Sequence, residues 1–337
     1  MSGGWNTIES DAGVFTFLLN NLGAKDVQFE ELLTLEPDAL AELHPVYGVI
    51  FLFKYPTDTP YTATDKPLDG TFDHEASERI FFAAQTIQNA CGTQALLSVL
   101  LNKDSQSTSS GGSGGSDGED DMGLDIGQAL REFRDFTMVL PPEFRGETLS
   151  NSELIRDVHN SFAKSSPFVD ETQRTSGEAE DAFHFIAYTP IGGTLYELDG
   201  LQPAPISHGA CPPGEFPRKV MDVLQRRIAR YEASEIRFNL MAMVRDLRVR
   251  AREIGDHDAL EREDQKRRDW QYENALRRHN FVGLAGAVLQ GVVASKLADG
   301  GEPAYEKWIA DATQATKARL ESKRKGGAAG EDVEMEG

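Results

Sequence analysis

The feature that most constrains this chain is a cysteine placed where a polar turn gives way to an apolar-periodic run. Cys91 lies near the end of the segment Gln-Thr-Ile-Gln-Asn-Ala-Cys-Gly at 85–92, and apolar residues then recur at helical spacing. This pattern predicts a helix with Cys91 in its first turn. Backbone N–H groups are unpaired at a helix N-terminus and the helix dipole favours an anion there, so the position suits a thiolate nucleophile.

Gln85 precedes this cysteine by six residues, on the approach to the predicted helix. Its side-chain NH₂ is therefore close enough to point at the same reacting atom. An amide donor beside a nucleophile is the usual arrangement for holding the oxyanion of an acyl-transfer intermediate. The segment at 85–92 thus predicts a nucleophile together with half of an oxyanion hole.

A β-hairpin is predicted for the stretch that contains His184 and Asp199. The segments 182–188 and 194–198 have strong β character, and Pro-Ile-Gly-Gly at 190–193 is a turn sequence. Neighbouring strands of an antiparallel pair bring such residues side by side, so Asp199 is expected to reach one ring nitrogen of His184. The other nitrogen would then face the thiol, which is the arrangement of an activated cysteine.

Each of these residues also has an ordinary structural interpretation. Cys91 alone fits a small buried hydrophobic residue, and His184, between two phenylalanines, fits a hydrogen-bonded core histidine. Asp199 precedes a glycine and fits a turn residue that ends a strand. The three types of residue in one pattern favour the catalytic interpretation.

The segments at 85–92, 181–185 and 195–201 resemble the ubiquitin C-terminal hydrolase family of deubiquitinating cysteine proteases. Four further segments look like that family, at 4–11, 48–54, 158–163 and 236–242. The similarity is strongest to the family's proteasome-associated member, which carries a C-terminal extension. It implies an α/β (α+β) fold of the papain-like ubiquitin hydrolase type, with helices around a central, mainly antiparallel sheet and a helical extension.

The resemblance also implies an activity. Cys91 would be the nucleophile, His184 its base, Asp199 the residue that orients the base, and Gln85 an oxyanion donor. The expected reaction is cleavage of peptide, isopeptide, amide or ester bonds after the C-terminal glycine of ubiquitin, without metal or cofactor, in the ubiquitin–proteasome pathway. Two alternatives stay open: a catalytically silent ubiquitin-binding scaffold that acts through its extension, and a papain-like acyl transferase for a small amide.

The catalytic domain is predicted to span residues 1–244. Ser10 and Asp11 cap an apolar helix that stops at Gly23, and the apolar run Val49 to Phe53 predicts a central strand covered on both faces. Two interruptions are predicted within this domain. Residues 104–121 are Gly/Ser-rich and acidic, which predicts a disordered insertion. Residues 163–180 are polar and aperiodic, and in the family the corresponding loop crosses the active-site cleft.

Residues 245–325 are predicted to form a helical, partner-binding extension, followed by a disordered acidic tail at 326–337. The first part is densely charged, and hydrophobic residues appear from Trp270 onward. This region resembles the domain by which the proteasome-associated hydrolase binds the DEUBAD domain of a proteasomal ubiquitin receptor and of a chromatin-remodelling subunit. Exposed apolar faces on a charged helical appendage suit partner helices.

Composition agrees with an intracellular enzyme. Only two cysteines are present, so no disulfide framework is expected, and Cys211, before two prolines, has no base near it in sequence. The net charge of −21 argues against direct nucleic-acid binding and suits a basic partner surface. The N-terminus lacks a signal-peptide pattern, and no apolar run is expected to span a membrane. The expected location is the cytoplasm and nucleus.

Overall fold

The computed structural model describes residues 4–54, 66–105, 123–162, 183–232 and 235–328. The crossover loop predicted at 163–180 lies outside these ranges. So do the insertion at 104–121, except for residues 104–105, and the acidic tail at 326–337, except for residues 326–328. These segments stay predictions.

Among the described residues, seven strands form one sheet in which every strand pair is antiparallel. The order across the sheet is β1-β7-β2-β4-β5-β6-β3. The strands are β1 Val27–Glu31, β2 Val46–Lys54, β3 Thr71–Phe72, β4 Phe183–Ile191, β5 Thr194–Leu198, β6 Ile206–Ala210 and β7 Asn239–Arg245. This architecture confirms the predicted fold class.

Helices cover both faces of the sheet. The described helices are α1 Ala12–Leu22, α2 Pro37–Ala41, α3 Ala76–Arg79, α4 Cys91–Leu100, α5 Gln128–Met138, α6 Pro142–Asn151, α7 Glu153–Asn160, α8 Phe216–Ile228, α9 Leu247–Ile254, α10 His257–Arg278 and α11 Val282–Ala328. A 3-10 turn, Gln88–Ala90, leads directly into α4. The first core lies between the sheet and the helices α1 and α4. The second core lies between the opposite face and α8, with α2 packed beside it.

Local sequence signals account for several of these elements. Asp11 accepts a hydrogen bond from the N–H of Val14 and so caps α1, and Gly23 ends the helix in the left-handed region at φ 99°. Strand β2 is paired on both sides and its residues Val49 and Phe51 are fully buried, as predicted for a central strand. The segment 236–242, one of those that resemble the family, enters strand β7 only at Asn239, and Ile236 is 82% exposed.

The hairpin β4–β5 turns at Gly192 and Gly193. Both have positive φ, 55° and 76°, and Ile191 pairs with Thr194 across the turn. A two-residue turn of this kind matches the right-handed twist of the flanking strands but needs residues without a Cβ. The glycine pair therefore sets the register of the whole hairpin, including the strand end at His184.

The division of the chain differs from the predicted boundary at 244/245. Two compact units are present, and they separate between Arg278 and His279. Helices α9 and α10 therefore belong with the sheet. Although α10 is densely charged, Arg267 is only 8% exposed and bonds to Gln28 and Asp246 at 3.0 and 3.1 Å.

Two further contacts attach α10 to α1. The side-chain amide of Asn274 donates to the carbonyl of Gly13 at 3.1 Å. Trp270 packs so closely on α1 that a Cβ at Gly13 would lie 2.7 Å from the indole ring. A residue other than glycine would force one of the two helices to move.

The second unit begins at His279 and contains α11. Gly300 and Gly301 interrupt its helical backbone, just before Pro303. Several of its apolar side chains are largely exposed: Phe281, Leu284, Val288, Leu289, Leu297 and Ile309. Contrary to the sequence-based expectation, the segment Val282–Arg319 is long and apolar enough to cross a membrane by length and composition. A single helix of this kind does not by itself indicate membrane insertion.

Truncation separates the two possible boundaries. A chain ending at Arg278 keeps the contacts of α10 and is expected to unfold cooperatively with a thermal midpoint close to that of the full chain. A chain ending at Val244 loses the partners of Gln28 and Gly13. It is expected to melt at least about 10 °C lower, because the buried Gln28 side chain and the Gly13 carbonyl lose hydrogen-bond partners, and each buried polar group left unsatisfied costs about 1–3 kcal/mol. Calorimetry of both truncations measures this, and equal midpoints would restore the boundary at 244.

Candidate active site

Cys91 is the first residue of α4. The helix is buried along its whole length and packs against β2 and β4. The next residue, Gly92, faces the first core so closely that a Cβ there would lie 3.2 Å from Phe15 and 3.3 Å from Ile8. The helix N-terminus thus lies against the end of the sheet, and Cys91 itself is 8% exposed.

Side chains around this turn tie it to the N-terminal segment. The amide of Asn89 donates to the carbonyl of Trp5 at 3.0 Å. On α4, Thr93 bonds to Nδ1 of His159 at 2.7 Å, and Nε2 of His159 lies 2.6 Å from the carbonyl of Asn6. Because a carbonyl only accepts, His159 donates through Nε2 and accepts from the Thr93 hydroxyl. Burial lowers the pKa of His159, which suits this neutral, structural role.

His184 and Asp199 meet as the hairpin predicts. His184 begins the buried part of β4, and Asp199 follows β5 by one residue. Nε2 of His184 lies 2.7 Å from Oδ1 of Asp199, and the two side chains are 4% and 1% exposed. Asp199 also accepts from the N–H of Leu201 at 3.0 Å and from the amide of Gln202 at 3.5 Å. The carboxylate is therefore held in one orientation.

The Cys91 thiol hydrogen-bonds to His184. Since Nε2 of the ring is engaged by Asp199, Nδ1 is the nitrogen that faces the sulfur. The structure thus brings Cys91, His184 and Asp199 together in a line from thiol to ring to carboxylate. This arrangement can transfer a proton from sulfur to the ring and orient the ring while it does so.

The charges of this group favour an imidazolium. Burial opposes the charged ring, but the Asp199 carboxylate and the Cys91 thiol together raise the pKa of His184 to about 9. Burial likewise opposes the charge of Asp199, yet His184 and the Leu201 N–H hold the pKa of that carboxyl below its ordinary value. A protonated His184 beside the sulfur is the state that stabilises a thiolate nucleophile.

Gln85 lies close to this group. Its backbone N–H donates to the carbonyl of Gly200 at 2.7 Å. A Cβ at Gly200 would lie 3.0 Å from Cβ of Gln85 and 2.2 Å from the amide nitrogen of Gln94. The strand end therefore holds Gln85 one residue from Asp199, and its role as an oxyanion donor stays a prediction.

Cys211 lies in the second core, whereas Cys91 lies in the first. Burial raises the pKa of the Cys211 thiol. A buried, protonated thiol is a poor nucleophile. This environment agrees with the sequence, in which Cys211 has no base near it.

Three residues near the site were missed at the sequence level. Phe53 on β2 forms an edge-to-face contact with His184, with ring centroids 5.7 Å apart. Glu197 and Arg227 form a buried ion pair behind them, at 2.6 Å. Glu197 could have been found from the sequence, because residues two apart on a strand point to the same face. Glu197 therefore shares the face of the apolar residue Leu195, and a carboxylate buried on that face requires a partner.

Comparison with known proteins places this geometry in context. The family model described as "Ubiquitin carboxyl-terminal hydrolase, family 1" matches residues 5–229, and a second one, described as "Ubiquitin carboxyl-terminal hydrolases", matches residues 257–297. Ubiquitin carboxyl-terminal hydrolase 2 of Schizosaccharomyces pombe is 49% identical over 286 residues, 83% of this chain and 88% of that protein.

More distant relatives agree. Ubiquitin carboxyl-terminal hydrolase isozyme L5 of Dictyostelium discoideum is 34% identical, over 86% of this chain and 91% of its own length. The crystal structure of Trichinella spiralis UCH37 bound to ubiquitin vinyl methyl ester superposes with a TM-score of 0.57 at 32% identity. That match covers 81% of this chain and 99% of the other.

The proton affinity of His184 tests the electrostatics of the site without any substrate. Asp199→Asn removes the carboxylate that favours the imidazolium, so the NMR titration midpoint of His184 should fall from about 9 by at least one unit. The signal is assigned by its loss in His184→Ala. Asp125→Asn, which removes a surface carboxylate paired with Lys25, is the matched control and should leave the midpoint unchanged. An unchanged midpoint in Asp199→Asn would contradict the assigned role of the carboxylate.

Proposed function

This chain belongs to the ubiquitin carboxyl-terminal hydrolase family 1, and from that membership we propose that it releases ubiquitin from conjugates in proteasomal protein degradation. It is a cysteine-type deubiquitinase that cleaves the bond after the C-terminal glycine of ubiquitin. The observation that carries the assignment is the contact of one His184 ring with both the Cys91 thiol and the Asp199 carboxylate.

The reaction follows from these three side chains. The Cys91 thiolate attacks the carbonyl carbon of the last glycine of ubiquitin, and a C–S bond forms while the carbonyl oxygen becomes an oxyanion. The Gln85 amide and the Cys91 N–H would donate to that oxyanion, each worth about 3 kcal/mol at the barrier. His184 then gives its proton to the leaving amine as the C–N bond breaks.

The thioester that remains is hydrolysed by the same ring. His184, now neutral, accepts a proton from water as the water oxygen attacks the thioester carbonyl. The C–S bond breaks, the new carboxylic acid of ubiquitin releases the second proton of the water to solvent, and the thiolate–imidazolium pair is restored. Asp199 stabilises the charged ring and keeps its orientation through both halves of the cycle.

The alternatives are less well supported. A catalytically silent scaffold would not require a buried His184–Asp199 pair, since an unused buried pair is often replaceable by apolar residues without loss of stability. An acyl transferase for small amides would not account for similarity that extends over most of the chain.

The second unit would bind a helical partner. The second family model, which matches residues 257–297, includes the beginning of this unit at residues 279–297, and α11 carries exposed apolar side chains. Such a surface fits the helices of a DEUBAD domain, from a proteasomal ubiquitin receptor or a chromatin-remodelling subunit, in the cytoplasm and the nucleus. Calorimetric titration of a purified DEUBAD domain into the full chain tests this: the chain ending at Arg278 should lose binding, and equal affinity would contradict the assignment.

The activity is tested with ubiquitin that carries a C-terminal vinyl methyl ester. The full chain should form a covalent adduct of one ubiquitin, seen by mass spectrometry, and should hydrolyse a ubiquitin–fluorophore amide. Cys91→Ala should lose both reactions. The matched variant Cys211→Ala should retain both, because that thiol is buried in the second core. Turnover in Cys91→Ala would remove Cys91 from the mechanism.

Gln85→Ala tests the oxyanion donor. We expect kcat to fall by about two to three orders of magnitude with a modest change in KM, because the donor acts mainly in the transition state. Gln85→Glu, which keeps the size of the side chain and replaces the donor, should be at least as slow. Steady-state kinetics on the fluorophore amide measure both, and an unchanged kcat would leave Gln85 as a turn residue.

A further inference from the structure

A second buried charge pair lies behind the triad. Oε1 of Glu197 accepts from Arg227 at 2.6 Å, and Oε2 lies 3.0 Å from Nε2 of His208. Arg227 also donates to the hydroxyl of Tyr188 at 3.3 Å. Glu197 and Arg227 side chains are 3% and 9% exposed, so the pair is removed from solvent.

Arg227 reaches the catalytic histidine through an aromatic ring. Its guanidinium carbon lies 4.6 Å from the centroid of Phe53, over the ring face. The same ring forms an edge-to-face contact with the His184 ring, at an interplanar angle of 85°. Phe53 is also the cross-strand partner of His184 between β2 and β4. The phenyl ring is thus held between a fixed cation and the imidazole.

The pair also affects the balance of charge. Glu197 and Asp199 are two buried carboxylates, two residues apart in sequence, and one negative charge disfavours the other. Arg227 offsets this, since its charge lowers the pKa of Asp199 as well as that of Glu197. With Arg227 present, Asp199 stays ionised and is the carboxylate that bonds to the ring.

We propose that Arg227 and Glu197 are positioning residues of the hydrolase: Arg227 holds Phe53 against His184, and the two charges together set the field in which the imidazole exchanges its proton. The proposal rests on the hydrolase activity proposed above. Neither residue touches the reacting atoms, so both act through Phe53, Asp199 and His184.

A purely structural role predicts something different. Loss of either partner from a buried ion pair destabilises the fold in the same direction, because the remaining charge is unpaired. A role in the field at His184 gives opposite signs for the two partners. Glu197→Gln leaves an uncompensated cation, which disfavours the imidazolium. Arg227→Met leaves an uncompensated carboxylate, which favours it.

The expected shifts in the NMR midpoint of His184 are therefore about half a unit to one unit downward in Glu197→Gln and a similar amount upward in Arg227→Met. The double variant should return close to the native midpoint. The titratable groups that contact the ring are Cys91 from α4 and Asp199 from the β5 end, whereas Glu197 of β5 and Arg227 of α8 lie behind Asp199 and Phe53. His208 of β6 contacts Glu197, so its NMR signal is followed in the same spectra. Protonation of His208 in a variant is thereby distinguished from protonation of His184.

Kinetics give the second measurement. On the ubiquitin–fluorophore amide, the alkaline limb of the plot of kcat/KM against pH should move with the NMR midpoint of His184 in each variant. Loss of the support under Phe53 in Arg227→Met should lower kcat about tenfold with KM within about twofold. Arg227→Lys keeps the positive charge, so the alkaline limb should stay at its native pH. Arg226→Met is the matched control on the same helix, α8, and breaks only a surface ion pair with Asp69. It should shift neither the NMR midpoint of His184 nor the alkaline limb.

Shifts of the same sign in the two single variants, or no shift in either, would overturn the proposal. The same holds if Arg227→Lys shifts as far as Arg227→Met. Glu197→Gln nearly preserves shape, so it still decides the sign if Arg227→Met does not fold. Failure of the native chain to hydrolyse the amide would instead contradict the proposed function. The NMR shifts are measured without substrate, so they test the positions of the two charges independently of that activity.

Discussion

The hydrogen bond between His184 and Asp199 is the interaction on which the rest of this site depends. Both side chains are nearly fully buried, so both lose their hydration on folding. Only a short, well-oriented hydrogen bond offsets the free-energy cost of that desolvation. The hairpin supplies that geometry. Its two-residue glycine turn fixes the register, and pairing of β4 with β2 on the other side prevents the strand from slipping.

The nucleophile reaches this pair from a different part of the fold. Helix α4 packs on the face of the first core, whereas the ion pair of Glu197 and Arg227 lies in the second. His184 stands at the sheet end where the two sides meet. The close approach at Gly92 and the contact of Asn89 with Trp5 fix how far Cys91 extends toward the ring. The N-terminal segment thereby contributes to the active site although it supplies no catalytic side chain.

Features that depend on local pattern could be predicted from the sequence. These are the cap at Asp11, the helix that begins at Cys91 and the β4–β5 hairpin, because each is determined by a few adjacent residues. The attachment of α10 could not be predicted from its pattern. Arg267 and Asn274 are buried polar residues whose side chains bond to Gln28 and to the carbonyl of Gly13, each more than two hundred positions away in the sequence. A charged segment of this kind has the composition of a solvated helix.

The same reasoning explains why the support of the triad was missed. Arg227 belongs to a run of charged residues on α8, and only the strand pairing of Phe53 with His184 shows that its guanidinium lies beside the site. Hydrophobic periodicity reports where apolar residues are buried, but it does not report which polar residues are buried with them. Those residues become visible only when the chain is folded and their partners are known.

The raised pKa of His184 also links catalysis to stability. A folded value of about 9 against an ordinary 6.5 means that protonated His184 stabilises the fold fully below about pH 6.5 and progressively less as the pH rises through 9. Asp199 acts in the opposite sense, since its lowered pKa gives stability above its ordinary value of 3.8 that is lost on acidification. The pair therefore contributes most between these limits. At neutral pH the ring is still protonated, so the charge state of His184 that stabilises the fold is also the one that places a cation beside the sulfur of the nucleophile.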